Sequence, residues 1–144
     1  MPHVSLNHPK LTLEGAEAAL TAAKAHAAHI ACPMNIAIVD DGGHLIAFAR
    51  MDGAKLSSID IALNKAHAAA IRRQATGPAR SGEEVNVLLS LGLAIGSRAH
   101  QTPIRGGIPL EVNGECVGAI GVSAGTEDQD AEVARAGVAA FGKA

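Results

Sequence analysis

Two short turns constrain this chain more than any other feature. Asp40-Asp41-Gly42-Gly43 and Asn113-Gly114 each separate two apolar runs. Glycine reaches positive φ without steric penalty, and Asn or Asp bonds nearby backbone groups, so both sequences close tight hairpins. Residues 35–39 and 45–50 then form one strand pair, and residues 110–112 and 115–123 a second. Hairpins pair strands antiparallel. Ile36, Ala37, Ile38 and Val39 are all apolar, so their strand is expected to be covered on both faces.

The covering layers are helical. After Thr12, a plausible N-cap, the apolar residues Leu13, Ala16, Leu20, Ala23, Ala27 and Ile30 step by three and four, and Pro33 ends the run. A second helix is predicted from Ser57 or Ser58 to about Gln74, with Ile59, Ala62, Leu63, Ala66 and Ala70 on its core stripe. Ser81-Gly82-Glu83-Glu84 fits a capping box, S-x-x-E, which predicts a third helix running to Ile95. Residues 102–105 read as an edge strand before Gly106-Gly107. Thr126-Glu127-Asp128-Gln129 fits T-x-x-Q and opens a last helix, with acids at its positive end. The predicted order is α-β-β-α-α-β-β-β-α. It forms a single domain over residues 1–144, with 1–11 as a lead-in.

Composition narrows the function. The 144 residues are 48% hydrophobic with a net charge of −2, and they include no Trp, no Tyr and two Phe, Phe48 and Phe141. Nucleic-acid binding needs a positive field, and single-strand binding usually adds aromatic stacking, so that class is excluded. No run of 18 or so apolar residues predicts a membrane span. Two cysteines, Cys32 and Cys116, make no disulfide framework, and no leader pattern opens the chain, so a reduced cytoplasmic protein is expected. Much of the apolar content is alanine, which buries little area per residue. Burial between identical subunits would add to it, so a homo-oligomer is expected.

Several stretches, in order, resemble the GlcG/HbpS family, also seen as the C-terminal domain of PduO proteins. They are Ile36-Ala37-Ile38-Val39-Asp40 with Gly42-Gly43-His44-Leu45, Ala47-Phe48-Ala49-Arg50-Met51-Asp52-Gly53, and Ser58-Ile59-Asp60-Ile61-Ala62 with Lys65-Ala66. Gly106-Gly107-Ile108-Pro109, Gly118-Ala119-Ile120-Gly121-Val122-Ser123 and Gln129-Asp130 complete the set. The resemblance implies an α+β domain: three layers, α/β/α, around a five-stranded antiparallel sheet. It also implies oligomers and, in some members, haem binding. Arg50, Asp60 and Lys65 match recurring positions of the family.

Three constellations carry candidate chemistry. On the second helix, Asp60, Asn64, His67 and Ile71 form one ridge beside the core stripe, with Lys65 on the other flank. His67, Asp60 and Lys65 are the candidate catalytic groups, with the imidazole as general base. The competing reading is a helix pairing its own polar side chains. Gly106 and Gly107 allow close backbone approach and anion binding, with Arg105 for a carboxylate or propionate; alternatively they form a bend the sheet requires. His26, His29 and Cys32 carry ligand types suited to haem iron, yet steps of three spread them around a helix. His26 and His100, with Arg50, complete the candidate ligand-binding set, and no fixed metal site is predicted. No G-x-S-x-G, H-E-x-x-H, Walker or C-x-x-C pattern occurs.

The reading that ranks first is a small-ligand-binding protein taking haem or a related tetrapyrrole. A small cofactor-free enzyme, of lyase or isomerase type, moving a proton on an organic acid follows. A non-catalytic oligomeric assembly module is third.

Overall fold

The computed structural model describes residues 3–142. The elements are α1 (Leu13–His29), β1 (Asn35–Asp40), β2 (Leu45–Arg50), α2 (Ile59–Arg72), β3 (Arg80–Ser81), β4 (Glu84–Val85), α3 (Val87–Gly96), β5 (Gly107–Val112), β6 (Glu115–Ser123) and α4 (Glu127–Phe141). A 3₁₀ turn over Leu56–Ser58 leads into α2. The main sheet has the order β2-β1-β6-β5, antiparallel throughout.

α1 and α4 pack together on one face of this sheet, and α2 packs on the other. The alternation of β1 sets this division. Ile36 and Ile38 join Ala16, Leu20, Ala23 and Val133 beneath α1 and α4. Ala37 and Val39 join Ala66, Ala69 and Ala70 beneath α2. The fold is thus the expected α+β, three-layer arrangement.

Local signals held where the interaction is short-range. The Thr12 side chain accepts from the Gly15 amide and caps α1. Thr126 and Gln129 form a reciprocal capping box at α4. Asn113 and Gly114 lie at φ 51° and 80° in the turn between β5 and β6.

Two expectations are corrected. Among the described residues the main sheet has four strands, not five. Residues 102–105 form a loop: Pro103 has no N–H, the Ile104 amide bonds the Thr102 hydroxyl, and the Arg105 amide bonds the Glu127 carboxylate. Those side-chain acceptors replace a ladder partner. Residues 81–84 also do not cap α3. Gly82, at φ 65°, turns β3 back onto β4 as a small separate hairpin, and Asn86 caps α3 instead, accepting from the Leu89 amide. An S-x-x-E sequence serves a turn as readily as a cap. The observed order is therefore α-β-β-α-β-β-α-β-β-α.

Candidate functional site

α2 carries three of the expected site residues, Asp60, Lys65 and His67, and the β1–β2 turn meets its second half. Gly43 sits at φ 82°, and a Cβ there would overlap the His67 imidazole. Glycine is required twice over, by the turn and by the ring packed on it. His67 Nδ1 lies 3.3 Å from the Gly43 carbonyl oxygen. A carbonyl can only accept, so this bond places the proton on Nδ1. In the neutral ring Nε2 then keeps its lone pair. His100, from the loop after α3, packs on His67 with ring centroids 4.4 Å apart and planes 46° apart. His67 is half-buried and His100 exposed.

Neighbouring stretches of α2 and β2 carry apolar and cationic side chains. Leu63 lies one helical turn before His67, and it and Phe48 pack half-buried against the α2 side of the core. Arg72 shares a small cleft with Gln101 and Thr102, beside His100 in the chain. Arg73 closes α2 at φ 57° and donates to the Asp41 carbonyl at 2.7 Å, bracing the turn that holds His67.

The other expected site residues lie elsewhere. Lys65 is fully buried: Nζ donates to Asp130 Oδ2 and to the Val122 carbonyl, each at 2.9 Å. Such a group cannot reach a substrate, so its placement on an accessible flank is corrected. Asp130, expected as a helix N-terminal acid, is the buried partner, and its second oxygen accepts from the Gly125 amide. Asp60 is exposed two turns before His67, roughly 10 Å along the axis, too far to pair with it. Arg50 ends β2, at the sheet edge opposite the one where Gly107 begins β5. His26 bonds Glu132 at 2.9 Å and clasps α1 to α4.

Gly106 and Gly107 serve the packing. A Cβ on Gly106 would approach the Val122 carbonyl and Lys65 Nζ, and one on Gly107 would overlap the Lys65 carbonyl. The Gly107 amide is already bonded to Thr76 Oγ1 at 2.9 Å. Arg105 is exposed, and its guanidinium bonds Asp128 at 2.6 Å, a pairing that raises its already high pKa. A cavity of about 600 Å³ lies on the α1–α4 side of the sheet, lined by Leu11, Glu14, Val117 and Phe141 among others, with no imidazole or thiol. Among the described residues no cluster of three or more His, Cys, Asp or Glu could hold a metal ion, and no helix is long and apolar enough to cross a membrane.

A family model of the haem degrading protein HbpS-like type matches residues 11–139, nearly the whole described chain. The chain belongs to the HbpS-like family. It is 35% identical to an uncharacterized 15.0 kDa protein of the dhaT-dhaS intergenic region of Citrobacter freundii, over 91% of this chain and 92% of that one. The crystal structure of Klebsiella pneumoniae protein ORFY superposes with a TM-score of 0.88 at 30% identity, covering 100% of this chain and 99% of that one. The crystal structure of a PduOC:heme complex superposes with a TM-score of 0.81 at 26% identity, covering 92% and 95%.

In this HbpS-like domain, reading along the sequence missed three elements of the site. His100 as the partner of His67, Gly43 as its seat and Arg73 as the brace all depend on contacts between residues 24 to 33 positions apart. The one available signal was the Gly-Gly turn itself, which announced a close approach without naming the neighbour.

Proposed function

We propose that this protein binds haem or a related tetrapyrrole through the His67–His100 pair. The observation that carries the reading is the His67 imidazole, held from behind by the Gly43 carbonyl so that Nε2 is presented outward. Metal-bound histidines are held in this way, with the distal N–H on a backbone carbonyl. The donor set fits haem: an imidazole for iron, Leu63 and Phe48 as apolar wall, and Arg72 for a propionate. The likeness to the PduOC:heme complex supports the same ligand class. The larger cavity offers no iron ligand, so its size alone does not recommend it. Bound haem would supply redox chemistry at iron; this chain would bind it, orient His67 and partly shield it with His100.

In this reading the protein is an assembly of identical copies in the cytoplasm, with both cysteines free. The proton-transfer enzyme on an organic acid finds less support, because Asp60 and Lys65 do not reach His67 and Arg105 is already paired.

Hemin titration tests the proposal. The expected result is a saturable Soret shift at one hemin per chain, weakened at least tenfold in His67→Ala and unchanged in the surface control His26→Ala. An unsaturable shift, or one that His67→Ala and His100→Ala leave intact, overturns it.

A further inference from the structure

α3 is at odds with the rest of the surface. Its sequence, Val87-Leu88-Leu89-Ser90-Leu91-Gly92-Leu93-Ala94-Ile95-Gly96, contains no charged residue, and only Ser90 is buried. Leu88 is 84% exposed and Ile95 79%, and Val85, Val87, Leu89 and Leu91 are exposed beside them. A ten-residue helix is marginal in water without tertiary packing. The bonds that hold its start are few: the Asn86 amide to the Ala79 carbonyl, and the Ala79 amide to Ser90 Oγ.

The size and charge of this face indicate its occupant. The six residues expose roughly 700 Å², above the usual largest patch of a monomer and close to the ~800 Å² per partner of a standard interface. A helix lying on a membrane surface carries Lys and Arg on its polar side, and α3 carries neither. An uncharged face has no like-charge repulsion when it meets itself across a two-fold axis, the commonest symmetry of soluble oligomers. Gly92 and Gly96 lie one turn apart with open space where a Cβ would stand, so a second helix can approach closely there.

The C-terminal end of α3 leads directly to His100. Arg98 and Ala99 both take left-handed φ, 57° and 64°, and reverse the chain. The Ala99 amide bonds Ala94, and the His100 amide bonds Ser97. The position of His100 over His67 therefore follows the position of α3.

We infer that α3 is a contact face between two copies of this chain, and that this contact holds His100 against His67. The coupling rests on the reading of these histidines as the ligand site; the contact itself does not. Both are tested on Leu88→Glu/Ile95→Glu, whose altered side chains are exposed, with circular dichroism and thermal unfolding as the check on folding. Sedimentation at about 50 µM is expected to give the wild type as a dimer or a multiple of one, and the variant at half that mass or less. Amide exchange in α3 of the wild type is expected to accelerate on dilution below the association range, which tests the contact without any substitution. A monomeric wild type, a variant of unchanged mass, or α3 exchange independent of concentration overturns the interface. Hemin titration of the same samples is expected to show at least fivefold weaker binding by the variant. Equal affinity in a variant of reduced mass overturns the coupling and leaves the interface. Failure of the wild type to take up hemin removes the site reading and the coupling, while sedimentation still decides the interface.

Discussion

Lys65 and His67 lie two residues apart on α2 and have opposite surroundings. Two residues turn a helix by about 200°, so one side chain enters the layer between α2, β6 and α4 while the other faces the β1–β2 turn. Lys65 is buried with two acceptors, a carboxylate and a carbonyl, and both of its partners are internal. His67 packs against one half-buried residue, Gly43, and one exposed one, His100, and among the described residues its Nε2 has no hydrogen-bond partner. The lesson is that the more heavily charged group is structural here. On the proposed reading, ligand binding falls to the neighbour whose bonding is incomplete.

The comparison breaks most sharply if Lys65 tolerates replacement. Lys65→Met leaves Asp130 buried without its cation, and stability is expected to fall by about 3–5 kcal/mol. Adding Asp130→Leu is expected to restore most of that, short by about 1 kcal/mol for the lost bond to the Gly125 amide. Urea unfolding of the single and double variants checks both values.

Two glycines extend the comparison to each side of α2. Gly107→Ala forces a Cβ against the Lys65 carbonyl and Thr76, and Gly43→Ala strains φ 82° while displacing the His67 ring. Each is expected to lose about 1–3 kcal/mol. Only Gly43→Ala is expected to weaken hemin binding as well. Equal hemin affinities in the two variants would contradict the division of labour.

A smaller effect is expected from His67→Ala, within about 1 kcal/mol of wild-type stability, since the ring is half-buried and its one backbone bond is long. The smallest comes from the lead-in. The Lys10 ammonium holds the Asp41 carboxyl below its ordinary pKa, against some desolvation, with His8 adding to the effect. A depressed folded-state pKa gives stability that is present above the unfolded carboxylate value and is lost as pH falls through the lowered one. Asp41→Asn is expected to lose less than about 1 kcal/mol at neutral pH and to flatten the acid limb below about pH 4. Unfolding midpoints measured from pH 3 to 7 check the sign.

What was legible in the sequence follows from the range of each interaction. The Thr12 cap, the Thr126–Gln129 box and the Asn113-Gly114 turn are settled within four residues, and all three stand as read. The sequence pattern also called for cover on both faces of residues 36–39, and the structure provides it, with Ile36 and Ile38 beneath α1 and α4 and Ala37 and Val39 beneath α2. The sequence pattern failed at residues 81–84, where one pattern serves two structures, and at residues 102–105, where a distant carboxylate takes a strand's N–H. The site was half legible. His67 stood out by its ridge, but Lys65 seemed equally accessible because helical spacing alone cannot tell a margin from an interior. The Lys65–Asp130 pair spans 65 positions and the His67–His100 pair 33, and only the folded layers bring them together.

The most direct test is imidazole rescue of His67→Ala, read in the visible spectrum of its ferric hemin complex. The account predicts that the variant loses the wild-type Soret position and that millimolar imidazole restores it, with no such response in Lys65→Met that remains folded. A His67→Ala spectrum matching the wild type without added imidazole would contradict it.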